Sequence, residues 1–106
     1  MYKLIRDKVA DLARAEGIII DVAQIVNTEF FAWAIREKLF EEVQEYFQSE
    51  DSLEELADIQ LVINTIIGDR KEEFNKVYEE KLKEKGGFDK KLLGFFADPM
   101  PENYQE

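Results

Sequence analysis

The stretch Phe31-Ala32-Trp33-Ala34-Ile35-Arg36-Glu37-Lys38-Leu39-Phe40-Glu41-Glu42-Val43-Gln44-Glu45-Tyr46-Phe47 repeats an apolar side chain every four residues, at Phe31, Ile35, Leu39, Val43 and Phe47. Such a repeat marks an amphipathic helix. Phe30, Ala34 and Tyr46 widen the apolar stripe. Arg36, Glu37, Lys38, Glu41, Glu42 and Glu45 are expected on the opposite, polar side. Asn27 or Thr28 can cap the start, so a long helix is predicted over about Thr28 to Gln48.

Working outward, Ser49 to Ser52 is a polar turn, and Ser52-Leu53-Glu54-Glu55 has the capping-box pattern of Ser followed three positions later by Glu. The helix it opens should run to about Ile67, antiparallel to the first because the link is so short. Gly68 and Asp69 then punctuate, with Asp69 and Glu72 suggesting another capped start. A helix over about Arg70 to Lys85 alternates Phe74, Val77, Tyr78 and Leu82 with charges and stops at Gly86-Gly87. Upstream, Val9, Leu12 and Ala13 recur at helical spacing between Arg6 and Glu16, so a helix is expected to end near Gly17. The β-branched Ile18-Ile19-Ile20-Asp21-Val22 predicts an extended connector or short strand. The expected fold is all-α, a four-helix antiparallel bundle-like protomer in one domain over 1–94, with an extended or partner-dependent tail over 95–106. From Ile59 to Ile67 the third helix is apolar on nearly every side, the pattern of a buried helix. So small a bundle has trouble burying it completely, and a homodimer or homotetramer with this helix against a partner is predicted.

The 106 residues fit one domain, and 24 acidic against 14 basic side chains give a net charge of −10. That balance argues against nucleic acid or an anionic membrane as partner. With no cysteine and no histidine, thiolate chemistry, sulfur-held zinc, imidazole ligation and Ser-His-Asp catalysis are excluded. Charges begin too early for a signal peptide, and no apolar run approaches the ~20 residues of a spanning helix, so a cytoplasmic protein is expected.

The remaining chemistry must use carboxylates, lysines, arginines, hydroxyls and amides. Glu41, Glu42 and Glu45 share one flank of the long helix, and Glu55 and Asp58 repeat the three-residue spacing on the next. Across an antiparallel pair joined by a short turn, the two sets can face each other. Acids converging on one point repel unless a hard cation neutralises them, and Mg²⁺, with Mn²⁺ as substitute, suits all-oxygen ligands and exchangeable waters. Acids at such spacing are also common on solvated helix faces, and Glu55 could serve only as the reciprocal cap of Ser52. Two features favour a site. Lys38 precedes Glu42 by four residues, the less favourable order for a helix ion pair. Asp58 shares a face with Leu61 and Val62, where an unpaired carboxylate is costly.

Glu41-Glu42-Val43-Gln44-Glu45 followed by Glu55-Leu56-Ala57-Asp58 resembles the EExxE…ExxD signature of the all-α nucleotide pyrophosphohydrolases. The opening Lys3-Leu4-Ile5-Arg6-Asp7-Lys8-Val9 and closing Lys85-Gly86-Gly87-Phe88 resemble the MazG-like, phosphoribosyl-ATP pyrophosphohydrolase-like branch. The resemblance spans about Lys3 to Phe88. It implies Mg²⁺-dependent cleavage of a nucleoside triphosphate to monophosphate and pyrophosphate, a nucleotide-pool house-cleaning reaction. It implies Glu42, Glu45, Glu55 and Asp58 as metal ligands and Glu41 as the acid that orients or deprotonates water. The gap between the acidic motifs is shorter than is typical of MazG proteins, which leaves the substrate open. For a triphosphate, Lys38, Lys81, Lys85, Arg6 and Lys8 are candidate cations, Asn64 could read a base edge or ribose, and Trp33 could stack on a base. For each of these a surface or core role serves equally well. The competing reading of the whole chain is a non-enzymatic acidic helical dimer, an interaction or regulatory module.

Overall fold

A computed structural model of the chain describes residues 2–97. Its regular structure is helical: α1 (Val9–Ala15), α2 (Thr28–Gln48), α3 (Leu53–Ile67) and α4 (Lys71–Lys85), with no strand among the described residues. The Ile18–Val22 run is irregular rather than a strand. With no described strand beside it, its backbone has no ladder to join.

Both long helices start where polar side chains satisfy their first N–H groups. Asn27, in extended conformation, accepts the Phe30 N–H at 2.9 Å. Ser52 accepts the Glu55 N–H at 3.4 Å. The second half of the expected capping box is replaced, because the Ser52 N–H donates to Ser49 Oγ at 3.1 Å. The Glu55 carboxylate is thereby released from capping duty. Four residues, Ser49 to Ser52, reverse the chain, and α3 packs back on α2 as a helical hairpin. At its far end α3 stops at Gly68 (φ 56°), and the Arg70 guanidinium covers the last carbonyls, donating to Ile66 at 2.7 Å and Ile67 at 3.3 Å. α1 is shorter than expected: Asp7 and Lys8 form a turn before it.

The buried set is small: Ala10, Ala34, Ile35 and Val62, joined by one charged residue, Glu42. This corrects the expected sidedness of α2. A row of every fourth residue advances 40° per step at 100° per residue, so Phe31 to Phe47 winds through ~160°. Ile35 is buried at 7% exposure, whereas Phe31 is 37%, Val43 45% and Phe47 85% exposed. On the same count Glu42 falls between Phe31 and Ile35, on the side that meets α3 and not on the solvated side.

The chain divides into two compact units, Met1–Lys71 and Glu72–Glu106. Within the second, α4 has no buried residue, and Phe74 and Tyr78 place their rings 6.3 Å apart on its apolar row. Residues 88–97 carry no helix or strand. The rest of the expected tail, with both prolines, lies outside the described residues. Among the described residues no helix is long and apolar enough to cross a membrane.

Candidate metal centre

The hairpin brings all five predicted acids together. One carboxylate oxygen from each of Glu42, Glu55 and Asp58 lies within 4.8 Å of the other two, and Glu41, Glu42 and Glu45 form a second such group. Glu42 belongs to both. Its helix position explains this, since it is the acid on the α3-facing side of α2.

Glu42 is 6% exposed, and its Oε2 is buried with no hydrogen-bond partner. Glu55 Oε2, on the facing helix, is buried and unpartnered as well. A buried carboxylate oxygen without a donor carries a desolvation cost of about 1–3 kcal/mol or more. A hard cation supplies what these oxygens lack, and the donor set is all oxygen and anionic, as Mg²⁺ and Mn²⁺ require. The residues present therefore fit a divalent cation.

Three cations already border the cluster. Lys38 Nζ, its side chain 14% exposed, lies 3.1 Å from Glu42 Oε1 and 3.4 Å from Glu41 Oε1. Lys3 Nζ reaches Glu41 Oε1 at 3.1 Å, and Arg6 Nη1 reaches Asp58 Oδ1 at 3.2 Å. Burial pushes the Lys38 pKa down, but its bond to Glu42 and the charges of Glu41 and Glu42 outweigh this and raise it. Burial likewise pushes the Glu41 carboxyl up, and the Lys3 bond with the charges of Lys38 and Lys3 brings it below its ordinary value. Glu45 goes the other way. Desolvation, then contact with Glu42, then the charges of Glu42, Glu55 and Glu41 hold its proton more tightly than usual.

Trp33, Asn64 and Lys8 stand outside the acidic groups. Trp33 is nine residues before Glu42, half a turn away, and it lines a recess of about 290 Å³ on the outer face of α2 with Arg36, Glu37 and Phe40. Asn64 is exposed and accepts from Gln60 of its own helix at 2.9 Å. Lys8 stands exposed before α1; its carbonyl accepts the Leu12 N–H at 3.1 Å, and its side chain makes no hydrogen bond or ion pair among the described residues. Lys81 and Lys85 are exposed on α4, in the second unit. Lys3 is the residue that sequence reasoning passed over. Its signal was the Lys3-x-x-Arg6 pair: three residues of non-helical chain reach ~10 Å, the spacing of two packed helix axes.

No protein-family model matches this chain, and neither a curated protein nor a solved structure matches it.

Proposed function

We propose that the chain is a Mg²⁺-dependent nucleoside triphosphate pyrophosphohydrolase, releasing a monophosphate and pyrophosphate, and that it works as a homo-oligomer. The observation that supports this most is the pair of buried, unpartnered oxygens on Glu42 and Glu55, set on facing helices with an Asp58 oxygen in the same 4.8 Å group. In this reading Glu42, Glu45, Glu55 and Asp58 hold the metal. The bound cation would supply Lewis-acid activation of water and neutralise charge on the departing pyrophosphate. Glu41, kept ionised by Lys38, orients the attacking water by accepting its hydrogen bond. Its lowered pKa makes it a better orienting group than base. Lys38 holds Glu41 and Glu42 in register through its two ion pairs.

The test is a panel of canonical and modified nucleoside triphosphates with Mg²⁺, read as monophosphate and pyrophosphate. Turnover of at least one is expected, with Asp58→Asn lowering it by at least about 100-fold while helical circular dichroism is kept. An Asp58→Asn protein with full turnover would remove the metal assignment. No turnover at all, together with no thermal response to Mn²⁺, would leave the non-enzymatic acidic helical module as the better reading.

A further inference from the structure

The N-terminal segment crosses to both helices of the hairpin, and it does so with charge. Lys3 bonds Glu41 on α2, and Arg6 bonds Asp58 on α3. These are the two side-chain hydrogen bonds of longest sequence separation among the described residues, 38 and 52 positions. Both cations remain more than half exposed while their acceptors are 30% and 36% exposed. A pair so open to water contributes little to stability. Two of them on opposite flanks of one acidic cluster need another explanation.

Charge count supplies it. Glu41, Glu42, Glu45, Glu55 and Asp58 bring five carboxylates, and Lys3, Arg6 and Lys38 bring three positive charges. The ionised cluster is then in excess by two negative charges, the charge of one divalent cation. A second divalent cation overfills it, so the groups with most access to water lose their partners. Lys38 is held in the hairpin at 14% exposure, whereas Lys3 (56%) and Arg6 (64%) can turn away. They would then stand on either side of the centre as free donors for the oxygens of a phosphate chain.

We propose that Lys3 and Arg6 form a transferable cationic strap, pairing with Glu41 and Asp58 in the metal-free protein and with the substrate's polyphosphate once divalent cations occupy the cluster. The proposal rests on the metal reading above and deepens it, assigning the phosphate chain, not the base, as the part of the substrate this segment grips. It predicts opposite effects of one substitution on two ligands. A cation that competes with metal should weaken metal binding and strengthen anion binding.

The experiment uses the full chain and titration calorimetry. Mn²⁺ is titrated alone, and inorganic tripolyphosphate is then titrated into the Mn²⁺-loaded protein. Lys3→Gln and Arg6→Gln, separately, are expected to tighten Mn²⁺ about threefold or more and to weaken tripolyphosphate at least about tenfold. Lys3→Arg and Arg6→Lys should keep both affinities within about threefold of the parent. Helical circular dichroism shows whether each variant is folded, and the charge-conserving pair keeps the test intact if a neutral variant is not. Ordinary structural ion pairs would give unchanged or weaker Mn²⁺ binding, and that outcome overturns the strap while leaving the metal centre. A parent protein that fails to bind Mn²⁺ overturns both.

Discussion

At Glu42 a carboxylate is buried beside one lysine while Glu41, Glu45, Glu55 and Asp58 crowd it. The two partners of that ion pair should respond to mutation very differently. Lys38→Met removes the cation and leaves an uncompensated buried charge, so urea unfolding should show a loss of about 3 kcal/mol. Glu42→Gln removes the charge that the others repel, so the metal-free protein should change by less than about 1 kcal/mol, or gain, while its Mn²⁺-induced rise in Tm disappears. If Glu42→Gln kept that rise, Glu42 would not be a ligand. The same residues set the pH response. Glu41, with its pKa depressed, adds stability above its ordinary value of 4.5 that is lost as pH falls through the lower folded value. Glu45, with its pKa raised, binds its proton more tightly when folded, so stability falls as pH climbs from 4.5 through the higher value. A divalent cation competes for that proton site and cancels the second effect. The Mn²⁺-induced shift in Tm should therefore grow as pH rises through this window, and a pH-independent shift would contradict the assignment.

The α2–α3 hairpin was legible in the sequence nearly to the residue, because its start signals are local. Asn27 and Ser52 are short polar side chains at helix entrances, and capping depends on nothing distant. The acids at three-residue spacing were legible for the same reason. What was not legible is which side of α2 faces inward, since the four-residue row winds and only the partner helix chooses among its members. Lys3 and Arg6 were also hard to place, because an irregular segment has no period to fix its direction. The turn itself carries strain that local rules do not explain. Glu50 (φ 59°) and Asp51 (φ 77°) are both left-handed without being glycine. Asp51 is compensated by the Tyr46 hydroxyl, which donates to it at 2.6 Å, a bond that also raises the tyrosine pKa. Glu50 has no such partner among the described residues. Glu50→Gly should stabilise the protein by about 1 kcal/mol, a rise in Tm of roughly 4–8 °C. Asp51→Gly, which relieves strain but loses the tyrosine bond, should gain less. Equal gains would show that the Tyr46 bond contributes nothing.

On the scale of the molecule, many large apolar side chains stand exposed around four buried aliphatic residues among those described, which supports the oligomer proposed above. Besides the apolar α3 run that the sequence sets against a partner, the outer side of α2 offers a face that could complement itself. Trp33, Phe40 and Phe47 recur every seven residues at 51%, 65% and 85% exposure, the spacing of a helix–helix seam. Between Trp33 and Phe40 lie Arg36 and Glu37, which line the recess with them. A twofold axis midway between Arg36 and Glu37, crossing two antiparallel α2 helices, sets Arg36 of each copy against Glu37 of the other. The same operation brings Trp33 against Phe40 and Phe30 against Val43, and sets Phe47 opposite position 26, just before the partner's α2 begins. Sedimentation equilibrium should then show a dimer whose Tm rises with protein concentration. Arg36→Glu or Glu37→Arg alone puts like charges across the axis and should weaken it by about tenfold or more, roughly 1.4 kcal/mol. The double exchange Arg36→Glu/Glu37→Arg restores opposite charges in the same geometry and should recover most of the affinity. Any other arrangement of the two copies lacks that reciprocity, so a double exchange no better than either single variant would exclude this seam even if the protein proved dimeric.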